Sequence, residues 1–191
     1  MSDQRLRLPA GGRVYHEVLI AGFGGQGVAL AGHLLAMAAL AENREVVWAP
    51  SYGPEMRGGP VHCTIIISSE RIGSPEVSSA DSVLLMDRAS AGRFAHRVKP
   101  GGLLIYNTTL IPDAPSDCNC EVIRLPAGEI AEAIGDLRVA NVVMLGAFLR
   151  RRPVVAKDSL IEAMRSTAGK AFAHLLEINL KALARGEELA G

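Results

Sequence analysis

The chain has 191 residues, enough for one substantial domain and short for two. Hydrophobic residues make up 49% and charged residues 21%, a balance that fits a globular protein with a sizeable core and excludes a disordered chain. The 20 Lys and Arg are matched by 20 Asp and Glu, so no net charge draws the chain to a nucleic-acid backbone or an anionic membrane.

Residues 1–13 carry several charges and two glycines but no apolar core of a signal peptide, and they read as a flexible arm ahead of a single domain over 14–191. A cytoplasmic location is the expectation. The first strand, Val18–Ala21, runs directly into Gly22-Phe23-Gly24-Gly25-Gln26-Gly27 and then into an apolar helix over Val28–Ala41. Glycines at 22, 24 and 27 permit a tight turn, close approach of a ligand, and close packing of helix on strand. The free amides of such a helix start favour an anion, most often a phosphate. The helix itself is interrupted by Gly32 and His33 and is shorter than the roughly 20 residues that span a bilayer, so no membrane span is expected. His33 reads as a packed or interface side chain and not as a base.

Glu45–Ala49 reads as a second strand, stopped by Pro50. The segment from Ser51 to Pro60 is rich in turn formers yet carries Tyr52, Glu55, Met56 and Arg57, which a mere connector does not need, and it forms the second functional element. Strands follow over Val61–Ser68, Ser82–Met86 (ending at Asp87), Leu103–Tyr106 (entered through a turn at Lys99–Gly102) and Val122–Leu125. Asn107 closes the Leu103 strand, either as an ordinary turn cap or as a ligand contact. Helices are predicted over Ala127–Ile134, Val142–Arg150, Ser159–Arg165 and Gly169–Arg185. Ser159 and Glu162 have capping-box spacing, Phe172, Leu176, Leu180 and Leu183 share a face, and Gly186 is read as a stop. The basic run Arg150–Arg152 complements the negative end of its helix. Strands alternating with helices, several continuously apolar, predict a three-layer α/β/α sandwich around a mostly parallel sheet.

Several familiar chemistries do not fit the glycine turn. A dinucleotide site wants a carboxylate about 20 residues on, at the end of the second strand, and that position reads Ala49-Pro50-Ser51. Glu42 should instead end the helix and Glu45 begin the strand. Val28 and Ala29 stand where a P-loop needs Lys and Ser or Thr. No nucleophile elbow, paired metal-ligand histidines or activated Cys and His pair is present, so neither a catalytic residue nor a metal site is assigned. Cys63, Cys118 and Cys120 match neither a disulfide framework nor a closed iron–sulfur site; Cys63 reads as a strand residue and Cys118-Asn119-Cys120 as a surface turn in preference to a redox centre. Loop amides contribute about 1.5–3 kcal/mol per charge-assisted bond, while ordering a bound ligand costs an estimated 4–15 kcal/mol. The turn is therefore at most part of a site, and a purely structural use of its glycines stays open.

Taken together, Gly22-Phe23-Gly24-Gly25-Gln26-Gly27-Val28, Ser51-Tyr52-Gly53-Pro54-Glu55-Met56-Arg57-Gly58-Gly59 and Ile72-Gly73-Ser74-Pro75 resemble the gamma subunit of 2-oxoacid:ferredoxin oxidoreductases, over about Glu17–Arg185. The second segment is similar to the 2-oxoglutarate type. The resemblance implies a complex that turns a 2-oxoacid and coenzyme A into an acyl-CoA and carbon dioxide while reducing ferredoxin. It also implies alpha, beta and ferredoxin-like delta partner subunits that carry thiamine diphosphate and iron–sulfur clusters. On this chain it implies a share of the coenzyme A site, with Gly24, Gly25, Gln26 and Gly27 near a phosphate or the pantetheine, Arg57 supplying charge, Tyr52 and Met56 shaping the wall, and Asn107 nearby. Apolar surface around residues 51–60 is expected to face those partners, or a second copy when the chain is isolated. A free-standing nucleotide-binding or regulatory domain and a purely structural subunit are the alternatives.

Overall fold

A computed structural model describes residues 13–52, 59–113, 118–168 and 173–191. Six strands, β1 (Tyr15–Phe23), β2 (Glu45–Tyr52), β3 (Pro60–Ser68), β4 (Ala80–Leu85), β5 (Val98–Asn107) and β6 (Glu121–Leu125), form one sheet in the order β2-β3-β1-β4-β5-β6. The β1/β4, β4/β5 and β5/β6 ladders are parallel, and β3 runs antiparallel to both β1 and β2. Five strands thus point one way and β3 alone is reversed.

The central strand explains why the sheet needs cover on both sides. Val18, Leu19, Ile20 and Ala21 are all at most 1% exposed, so a strand with no polar face must be buried above and below. Val18 and Ile20 join the larger core with α1 (Val28–Ala41), α3 (Ala127–Ile134), α4 (Ala140–Arg151), α5 (Lys157–Ala168) and α6 (Ala173–Leu189). Leu19 and Ala21 join a smaller core on the opposite face, closed by the short helix α2 (Arg88–Phe94). The result is the expected α/β/α sandwich, with one thick and one thin helical layer.

Several local expectations are corrected. Pro50 does not stop β2, which continues to Tyr52, because β2 lies at the sheet edge and a residue without an N–H is tolerated there. Asp87 does not merely end a strand: its carboxylate accepts the Ser90 N–H and caps α2, a helix that the sequence reading missed. Lys99–Gly102 belongs to β5, with Gly101 at φ 75° beside a register shift against β4. The capping box at Ser159 does not form, since α5 begins two residues earlier at Lys157 and Glu162 pairs with Arg165. Gly186 is no stop, because α6 runs through it to Leu189. There it meets α4: a Cβ at Gly186 would overlap the Val143 carbonyl and one at Gly146 the Leu183 carbonyl, so the two helices touch backbone to backbone. Finally, Cys118 and Cys120 are joined by a disulfide, while Cys63 is free and buried in β3.

Other expectations hold. The His33 ring packs 5.1 Å from Trp48. Arg150 and Arg151 end α4, and Arg151 and Arg152 both pair with Glu121. Glu42 ends α1, where it pairs with Arg44 and accepts the Ala156 N–H. None of the described helices is long and apolar enough to cross a membrane.

Candidate functional site

The carboxyl ends of β1, β4 and β5 lie side by side, and this is the edge at which open α/β sheets bind ligands. Three segments meet there. The glycine turn leaves β1 at Phe23, β4 ends before Met86, and β5 ends at Asn107. Between them and the start of α3 lies a cavity of about 360 Å³, walled by Phe23, Gly25, Met86, Leu110, Leu137 and Ala140, with Gln26, Asn107, Thr109 and Arg138 as its polar groups. A second hollow of about 290 Å³, reached over Val28, Ala29, Leu30 and Val61, shares Phe23 and Gly25 with the first. Gly25 is therefore the ridge between two concavities. Its φ of 108° suits glycine, and among the described residues nothing lies within 4 Å of where a side chain would begin.

The other predicted residues hold the turn in shape. Gln26 accepts the Phe23 N–H through Oε1 at 2.9 Å and donates Nε2 to the Met86 carbonyl at 3.3 Å, tying the turn to the end of β4. Asn107, 2% exposed, donates Nδ2 to the same carbonyl at 3.2 Å, and its Oδ1 accepts the Gly128 N–H at 3.2 Å. Both amides are therefore committed to the protein. Gly27, at φ 73°, precedes the first residue of α1, and its carbonyl accepts Asn141 Nδ2 at 3.0 Å. Among the described residues no side chain caps α1, which leaves its first-turn N–H groups open to a partner from outside the helix.

Gly24 supplies the link to the second element. Its N–H donates to the Gly59 carbonyl at 2.9 Å, and in the β1/β3 ladder Phe23 faces Pro60 and Gly22 faces Val61. Two residues 35 positions apart are thereby brought to one edge. Tyr52 ends β2, paired with Val61 across the ladder. Met56 and Arg57 lie outside the described residues. The missing dinucleotide carboxylate also has a topological reason: β3 separates β2 from β1, so the end of β2 is not adjacent to the glycine turn.

Sequence reasoning missed the far wall. Thr109 Oγ1 accepts the N–H groups of Gly128 and Glu129, each at 3.1 Å, capping α3 from another segment. Arg138 stands at the cavity rim, held by the Asp136 carboxylate through Nε at 2.9 Å and Nη2 at 2.6 Å. That carboxylate raises the guanidinium pKa further. The Asp-x-Arg spacing was the visible signal, but nothing in it placed the pair beside β1. Among the described residues no group of three or more His, Cys, Asp or Glu could hold a metal ion.

Comparison with known proteins adds a family. Residues 17–189 match the family model described as pyruvate ferredoxin/flavodoxin oxidoreductase. The chain is 41% identical over 176 residues to the ketoisovalerate oxidoreductase subunit VorA of Methanothermobacter marburgensis, an alignment that covers 91% of this chain and 36% of that protein. It is 36% identical over 177 residues to the 2-oxoglutarate synthase subunit KorC of Methanocaldococcus jannaschii, covering 91% of this chain and 93% of that one. The crystal structure of a keto/oxoacid ferredoxin oxidoreductase gamma subunit from Geobacter sulfurreducens superposes with a TM-score of 0.78 at 32% identity, over 92% of this chain and 98% of that one. The chain thus spans about a third of the length of the VorA relative and nearly all of the other two.

Proposed function

The chain belongs to the pyruvate ferredoxin/flavodoxin oxidoreductase family, and from that premise we propose that it is the gamma-type subunit of a multisubunit 2-oxoacid:ferredoxin oxidoreductase that helps to form the coenzyme A site. The complex would convert 2-oxoglutarate, coenzyme A and oxidised ferredoxin to succinyl-CoA, carbon dioxide and reduced ferredoxin. Thiamine diphosphate and the iron–sulfur clusters would reside on the alpha, beta and delta partners. This chain would not turn over alone.

One observation supports the coenzyme A reading above the others: the Gly24 to Gly59 hydrogen bond sets the glycine turn against the end of the 51–60 segment, beside an uncapped helix start and a mostly apolar cavity. An uncapped helix start suits a phosphate, and apolar walls suit an extended pantetheine chain. A cavity of about 360 Å³ is smaller than a whole nucleotide thioester needs, so the rest of the ligand would lie against another subunit. Because Gln26 and Asn107 are spent internally, the contact would come from the Gly25 backbone and the first amides of α1, with Arg57 supplying charge and Tyr52 and Met56 shaping the wall.

The test is reconstitution with the partner subunits, following ferredoxin reduction as coenzyme A is varied. Full coenzyme A-dependent turnover by a complex lacking this chain would sink the proposal. A Gly25→Ala complex that assembles normally with an unchanged KM for coenzyme A would assign the chain a structural role alone. The 41% identical relative is named for ketoisovalerate, which supports a second reading of the substrate. Comparing kcat/KM for 2-oxoglutarate and for the branched-chain acid in the same complex separates the two.

A further inference from the structure

Cys118 and Cys120 are bridged across one intervening residue, with Cα atoms 5.2 Å apart. A disulfide stabilises a fold chiefly by shortening the loops of the unfolded chain, and the effect grows with the number of residues enclosed. Here the ring encloses a tripeptide, the smallest constraint short of adjacent cysteines, so the bond does little to hold the domain together. The turn is also accessible: Asn119 is exposed, and the two cysteines are only partly buried against the smaller core beside Val122. Its position does not depend on the bond, because the Asn119 carbonyl accepts the Gly101 N–H at 2.6 Å and β6 pairs with β5 from Glu121 onward.

Cys63 provides the contrast. It lies fully buried in β3, and burial pushes its thiol up to about 12, so it forms almost no thiolate and cannot reach the bridge or a reagent.

We propose that Cys118–Cys120 is a reversible thiol–disulfide exchange site for an external dithiol. A thiolate of the dithiol attacks one sulfur of the bridge, breaking the Cys–Cys bond and forming a mixed disulfide; the released cysteine thiolate takes up a proton. The second thiol of the reductant loses its proton and attacks the mixed bond, releasing the other cysteine, which is protonated in turn. The two cysteines gain two electrons and two protons, and the dithiol leaves as its own disulfide. The site sits at the amino end of β6, the opposite end of that strand from the cavity, so the exchange is separate from the coenzyme A chemistry proposed above.

The experiment uses the full chain equilibrated in mixtures of reduced and oxidised dithiothreitol, alkylated without unfolding, and weighed intact. Two adducts should appear together as the mixture becomes reducing, with Cys63 unlabelled and the circular dichroism spectrum unchanged, and oxidised dithiothreitol should remove them again. Cys118→Ser should give a single adduct at every ratio. A Cys118→Ser/Cys120→Ser variant should melt within about 2 °C of the parent; a fall of more than about 5 °C would make the bond a structural staple and overturn the proposal. So would a bridge that resists excess reductant until the protein unfolds, or a pair that stays fully labelled in oxidised dithiothreitol.

Discussion

Asn141 Nδ2 donates to the Gly27 carbonyl at 3.0 Å across 114 residues of sequence, and a Cβ on residue 27 would overlap that same nitrogen. The glycine at the end of the turn is therefore fixed by α4 as well as by its backbone angle. Gly27→Ala should lose about 2–4 kcal/mol in urea unfolding, combining left-handed strain with the displaced amide. Asn141→Ala in that background should recover only part of the loss, since it removes the overlap but not the strain at φ 73°. Full recovery would mean that backbone strain contributes nothing.

The Met86 carbonyl accepts from both Gln26 Nε2 and Asn107 Nδ2. Gln26→Ala and Asn107→Ala should each cost about 1–2 kcal/mol: the Met86 carbonyl keeps one donor in either case, but the Phe23 or Gly128 N–H loses its amide-oxygen partner. The double variant leaves a buried acceptor unpaired and should exceed the sum by about 1 kcal/mol in a double-mutant cycle. Strict additivity would show that the two amides do not act through that shared carbonyl.

Where α4 and α6 cross at Gly146 and Gly186, propensity and packing point in opposite directions. Alanine is the better helix former by about 1 kcal/mol, yet its methyl group at 186 would occupy the space of the Val143 carbonyl. Gly186→Ala should therefore destabilise by about 2 kcal/mol or more in thermal unfolding. A stabilised variant would show that the helices can part without cost.

His16 sits in the larger-core face of β1, with Nε2 2.9 Å from Ser82 Oγ and its ring 6.0 Å from Phe148. Burial lowers its pKa from 6.5 to about 4, with Asp81 opposing the shift and Arg152 reinforcing it. The unfolded chain therefore binds the proton first as the pH falls. The folded state keeps its full advantage above pH 6.5 and loses roughly 3 kcal/mol between there and pH 4, at up to about 1.4 kcal/mol per pH unit. His16→Gln should flatten the stability–pH profile in that window, measured by urea unfolding at several pH values. An unchanged slope would assign the pH dependence to other groups.

Features that depend only on neighbours along the chain were legible from residue order alone. The apolar run of β1, the glycine turn and the uncharged helix Val28–Ala41 were legible because each is set by local hydrophobicity and backbone freedom. So were the bounds of α3 and the absence of a carboxylate where a dinucleotide site needs one. The remaining features came from the way the elements pack together. Pro50 could be tolerated in β2 only because that strand proved to be an edge, and Gly186 sits inside a helix where its bare backbone lies against Val143 and Ala147 of α4. The site shows the same division. Its glycines could be read directly, but the commitment of Gln26 and Asn107 to Met86, the Gly24 to Gly59 tie and the Arg138 wall all join residues 20 to more than 110 positions apart. Such contacts depend on which strands become neighbours, and that is fixed by burying both faces of the sheet at once, which no single stretch of sequence records.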